Sequence, residues 1–170
     1  MLRHEAQLPV DPLHPDLAAL FPAALRATLR VHALDAVEAA PSSGSAGIRA
    51  VIVCPCSMGT LARIAHGFSS NLVERAADVA IKEGRRLIVV PRETPLSVIH
   101  LQNMLELARL GAVVLPAMPG FYHRPTSVQD LVDFVVGKIL DRLGLEHPLV
   151  RRWQTPTPPA TSPWHEGEDG

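Results

Sequence analysis

The stretch VIVCPCSMGTLARIAHG, Val51 to Gly67, sets two kinds of chemistry side by side. Cys54 and Cys56 flank Pro55 and offer two thiols to a metal or a redox reaction. Directly after them, Ser57, Met58, Gly59 and Thr60 form a short polar turn ahead of a helical pattern. Hydroxyls and unpaired backbone N–H groups at such a turn can hold an anionic or polar ligand. Two cysteines one residue apart are too close for an internal bridge. Structural zinc takes four ligands in spaced pairs, and the eight scattered histidines supply no suitable second pair. Both thiols are therefore read as small apolar groups packing the end of a buried strand, with no metal expected. That leaves the Ser57–Thr60 turn as the working part.

Three runs carry one design: RAVIVCP (Arg49 to Pro55), RRLIVVP (Arg85 to Pro91) and GAVVLP (Gly111 to Pro116). Each is short, rich in Val, Ile and Leu, and ends on proline. Apolar runs without polar alternation suit strands covered on both faces, and the stretches between them are long enough for crossover helices. The helices are legible too. Asn71 caps LVERAADVAIKEG, with Leu72, Ala76, Val79 and Ala80 at helical spacing and Gly84 as the stop. Ser97 opens VIHLQNMLELARLG. Ser127 opens VQDLVDFVVGKILDRLG, striped by Leu131, Phe134, Val135 and Ile139 and closed by Gly144. The expectation is a layered α/β domain with a parallel sheet. Ligands in such sheets sit beyond the carboxyl ends of the strands, where the loops CSMGT, RETPLS and AMPGFYHRPTS would lie.

The 170 residues are 47% hydrophobic and 19% charged, which fits one domain with a real core. Lys and Arg total 16 against 17 Asp and Glu, so the broad positive footprint of a nucleic-acid binder is missing and no such partner is expected. No apolar run reaches the length of a bilayer span, and the opening MLRHEAQLPVDP lacks the plan of a secretory signal; no membrane partner and a cytoplasmic location are expected. A helical segment around Asp16 to Arg30, interrupted by Pro22, precedes the linker PSSGSAG. The domain is expected to occupy 1–153, and the Pro-rich tail 154–170 to be disordered.

PCSMGTLARIAHG, RAADVAIKE, VPRETPLSVIHLQNM, PAMPGFYHRPTSVQDLVDFVVGKILD and the later RW together resemble the UbiX/Pad family of flavin prenyltransferases. The similarity runs from about Ser42 to Trp153. It implies a three-layer flavodoxin-like (Rossmann-type) parallel sheet with helices on both faces. It also implies transfer of a dimethylallyl group from dimethylallyl phosphate to N5 and C6 of reduced FMN, for delivery to a UbiD-type decarboxylase. By the same resemblance Ser57, Met58, Gly59, Thr60 and Arg92 contact FMN, Gly59 standing where members usually have Lys. Glu93, Trp153 and Glu5 would be active-site residues, and Lys82, Tyr122 and Lys138 would hold the prenyl phosphate. A homo-oligomer, a dodecamer by resemblance, is implied, with sites between subunits.

The residues are suited to this chemistry. A departing phosphate calls for cations and hydroxyls at fixed positions, which Lys82, Arg92, Tyr122, Arg124 and Lys138 supply. No DDxxD run is present to hold magnesium, so a metal-free reaction on a monophosphate is expected. Each residue also has a plainer role: Lys82 facing a helix dipole, Lys138 on a solvated face, Tyr122 in packing, Glu93 as a cap. The family's opening strand and G-x-S-G-A-S-G loop have no counterpart here, so the resemblance implies a sheet without its N-terminal βα unit. Two other readings stand beside it: a relative of the flavin-dependent cysteine decarboxylases, and a non-catalytic subunit that has lost flavin.

Overall fold

The structure, a computed structural model, describes residues 21–149. Glu5, Trp153 and the segment 154–170 lie outside the described residues, as do residues 16–20 of the expected Asp16–Arg30 helix. Of that helix one turn, Ala23–Arg26, forms, starting directly after Pro22. The small-residue linker begins in a tight 3-10 turn, Ala40–Ser42.

Three parallel strands form the sheet. β2 (Arg86–Pro91) lies in the centre, flanked by β1 (Ala50–Cys56) and β3 (Val113–Val114). Ile52 pairs with Ile88, Val53 with Val89, and Ile88 in turn with Val113. β3 is shorter than the apolar run GAVVLP, yet its backbone bonding continues: the Leu115 N–H donates to Val89 O and the Ala117 N–H to Pro91 O, both at 2.9 Å.

Four helices follow the strands. They are α1 (Met58–Ala65), α2 (Leu72–Lys82), α3 (Val98–Arg109) and α4 (Val128–Leu143). The expected caps form. Asn71 accepts from the Glu74 N–H, Ser97 from the His100 N–H, and Ser127 from the Asp130 N–H, satisfying donors that a helix start leaves free. Gly144 ends α4 at φ 74°, the left-handed conformation that costs a glycine little.

Side chains of α1, α2 and α3 bury one face of the sheet. Leu61, Ile64, Ala77, Ala80 and Leu107 pack on Val53, Leu87 and Val89. The other face is covered by α4, whose Ile139, Val135 and Leu143 meet Ile88, Val90 and Val113. The result is a three-layer arrangement in which a strand-to-helix turn, that of Ser57, opens at the carboxyl end of β1.

Candidate functional site

At that turn Ser57 is the N-cap of α1. Its Oγ accepts from the Thr60 N–H at 3.1 Å and lies 2.9 Å from the Thr60 hydroxyl. Met58 points into the core, whereas Ser57 and Gly59 are exposed. A Cβ built on Gly59 would meet nothing nearer than 3.6 Å, the Arg63 Nη1. That is ordinary contact, and Gly59 itself is exposed, so a flat ligand can lie over the turn beside two hydroxyls and the end of a helix. That donor set fits a flavin.

Behind the turn sits a network that the sequence alone did not single out. Arg63 Nε donates to Glu74 Oε1, and Arg63 Nη2 lies 3.5 Å from the Thr60 hydroxyl. Glu74 is wholly buried, while Arg63 is 46% exposed. Burial by itself would raise the Glu74 pKa. The Arg63 bond, the Ser70 N–H at 3.0 Å and the link to Asn71 outweigh it and hold the carboxyl below its ordinary value. Helical spacing gave no signal for the pair: Glu74 stands two residues from both Leu72 and Ala76, off the stripe that they set.

The loop after β3 builds a second cluster against α4. Tyr122 meets Phe134 edge-on with ring centroids 5.8 Å apart, His123 stacks on Phe134 at 5.2 Å, and Lys138 Nζ lies 5.5 Å from the Phe134 centroid. Two of the expected phosphate-holding residues, Tyr122 and Lys138, thus flank one ring. Gly120 allows it: a Cβ there would lie 2.8 Å from the Tyr122 ring and 3.1 Å from Phe134. Arg124 holds a left-handed backbone, φ 55°, which a non-glycine residue adopts at a cost. His123 Nδ1 is buried with no hydrogen-bond partner among the described residues. Phe134 was legible only as a core residue, since nothing in its spacing reveals what lies on its outer side.

The remaining candidates are spread out. Arg92 and Glu93 are exposed just past the carboxyl end of β2, and Glu93 accepts from the Thr94 N–H at 3.0 Å. Ser97, not Glu93, caps α3. Lys82 lies at the far end: it closes α2 just ahead of β2, pairs with Glu83 at 2.8 Å, and is separated from Arg92 by roughly 17 Å of strand. Within one chain it does not join the others.

One expectation is corrected. The cysteines do not both pack the strand end: Cys56 is buried and Cys54 is exposed. The β1–β2 register breaks between Val53 and Cys56, which puts Cys56 on the same covered face as Val53 and leaves Cys54 outside.

Known proteins carry the same pattern. A family model described as Flavoprotein matches residues 24–140. Flavin prenyltransferase UbiX of Halalkalibacterium halodurans is 60% identical over 72% of this chain and 59% of its own length. That of Pseudomonas aeruginosa is 57% identical over 74% and 60%. UbiX of Chlamydia muridarum is 50% identical over 81% of this chain and 72% of its own length. The chain spans about three-fifths of the length of the first two relatives. Among solved structures, a dodecameric FMN-dependent UbiX-like decarboxylase from Escherichia coli O157:H7 superposes with a TM-score of 0.72 at 51% identity, covering 79% of this chain and 74% of that one. AnUbiX in complex with FMN and dimethylallyl pyrophosphate gives 0.73 at 48% identity, covering 78% and 71%. The chain belongs to the flavoprotein family, in its UbiX branch.

Proposed function

We propose that this chain acts as a flavin prenyltransferase. It would move the dimethylallyl group of dimethylallyl phosphate onto N5 and C6 of reduced FMN, and the product would serve a UbiD-type decarboxylase. The observation that carries the reading is that the Tyr122 ring, edge-on at 5.8 Å, and the Lys138 ammonium, at 5.5 Å, both gather on Phe134. A hydroxyl donor and a cation held by one rigid ring suit a phosphate that gains charge as it departs. Relatives that share 50% or more of their matched residues carry the prenyltransferase name.

Reduced FMN, when bound, supplies the nucleophilic nitrogen. The protein's share is orientation and charge. Ser57, Thr60 and the exposed Gly59 backbone would hold the flavin, and Met58 anchors that turn in the core. As the carbon–oxygen bond breaks, its electron pair leaves with the phosphate toward Tyr122, Lys138 and Arg92. The second bond, to C6, would form as the prenyl double bond opens, and Glu93 would relay the proton lost from C6 to the neighbouring prenyl carbon, while the N5 proton leaves with the phosphate. By resemblance Trp153 and Glu5 complete the site.

Lys82 can join only from another copy, given its place at the opposite end of the sheet. We therefore read the working form as a homo-oligomer, and the E. coli relative is a dodecamer. The outer side of α3 suits such assembly, with Val98, Ile99, Leu101 and Leu105 at least half exposed. Among the described residues no helix is long and apolar enough to cross a membrane, and substrates that are phosphate esters suit work in the cytoplasm.

The test is an anaerobic incubation of the full chain with reduced FMN and dimethylallyl phosphate, followed by mass spectrometry of the flavin. A five-carbon gain is expected. Tyr122→Phe and Lys138→Ala should each slow it by about tenfold to a hundredfold, in the range of single donors to a developing charge, with FMN still bound. Flavin that binds without gaining mass would defeat the reading.

A further inference from the structure

A buried carboxylate is costly unless its partners are worth the burial. Glu74 is wholly buried, but the arginine it grips is not: Arg63 stays 46% exposed. A pair serving only the core would bury both charges. Here the acid is sunk and each carboxylate oxygen is bonded, one by Arg63 Nε and the other by the Ser70 N–H, so that the guanidinium above it is fixed in one orientation. Nη2 of that guanidinium turns to Thr60, and Nη1 has no hydrogen bond among the described residues.

Arg63 and Thr60 line a groove of about 340 Å3 along the carboxyl half of β1, together with Cys54, Pro55 and Asn71. The lining carries one cation and no carboxylate. A guanidinium with a free edge, a hydroxyl and a helix start within one groove make a site for a phosphomonoester.

We propose that Arg63 reads the phosphate of the flavin mononucleotide, and that Glu74 is a positioning residue that aims it. This rests on the reading that the chain binds FMN. It adds a contact that explains why a wholly buried acid sits behind the Ser57–Thr60 turn, and it makes Arg63 the residue that tells FMN from riboflavin.

The experiment compares the affinities of the full chain for FMN and riboflavin by flavin fluorescence, across a salt series. The variants are Arg63→Gln with Glu74→Gln, which removes both charges but keeps the bonding groups, and Glu74→Gln alone. The double variant should lose about tenfold or more in FMN affinity, the worth of one charged hydrogen bond. Riboflavin affinity should stay within about twofold, and the salt dependence of FMN binding should shrink. Glu74→Gln alone should lower the FMN preference by a smaller factor. If the double variant does not fold, Arg63→Lys carries the same comparison: it keeps the charge but loses the fork, so the preference should fall only in part.

An equal loss for both flavins would show a merely structural pair and overturn the proposal, as would no loss for either. Competition by dimethylallyl phosphate separates the two phosphate sources: if its affinity falls and that of FMN does not, Arg63 reads the wrong phosphate for this assignment. A wild-type chain that takes up no flavin would instead defeat the flavin reading itself.

Discussion

The two faces of the sheet are covered to different extents. On one, α1, α2 and α3 press against all three strands, and Leu61, Leu87, Val89 and Leu107 are sealed from water. On the other, α4 covers β2 and β3 through Ile139, while β1 shows Ile52 at 41% exposure and leaves Cys54 in the open. The runs of β1 and β2 are almost the same in composition, so the difference belongs to the neighbours and not to the strands. Only β2, central and covered twice, is buried from Leu87 to Pro91.

The largest effect should follow from cutting into the covered face. Leu87→Ala removes a side chain that is 1% exposed and should cost about 2–5 kcal/mol in urea unfolding. Ile52→Ala, in a neighbouring strand, should cost under about 1 kcal/mol. Similar losses would mean that something covers the Ile52 side in solution and would erase the contrast.

A smaller effect, and one that depends on pH, belongs to the Glu74 pair at the rim of the covered face. Its carboxyl is held below the ordinary value, so its contribution is whole above the unfolded pKa of about 4.3 and is lost as pH falls through the folded one. Glu74→Gln should therefore cost about 1–3 kcal/mol at neutral pH, discounted for the half-exposed arginine. It should also flatten the acid limb of a stability–pH curve. A variant with the wild-type slope below pH 4 would show that other carboxylates set that limb.

The same contrast explains what could be read in the chain of letters. Apolar runs ending in proline, and the pattern Asn71, Ser97, Ser127 before helical stripes, are local signals written by backbone donors that need partners, and all of them formed. The Ser57–Thr60 turn was legible for the same reason. Arg63 was not, because nothing local says that an arginine on α1 will meet a glutamate on α2. Nor was Lys82's distance from the other cations visible, since helix direction, not sequence separation, decides which end of the sheet a residue reaches. Cys54 was misjudged because the register break near Pro55 alters which side chain faces the core.

The finest probe of the two faces is the cysteine pair itself. Cys56 lies on the covered side, and burial pushes its thiol up to about 11, while partial burial raises that of Cys54 less far. The thiolate is the reactive form, so a disulfide reagent at mild alkaline pH should label Cys54 slowly and Cys56 only when the chain unfolds. One thiol per native chain, two in denaturant, is the expected titration, and Cys54→Ser should remove the native signal with a change in stability under about 0.5 kcal/mol. Two thiols of equal rate would mean that the helices do not seal their face. None would mean that the Ile52 and Cys54 side is covered in the assembled protein, and the inequality of the faces would then belong to the single chain alone.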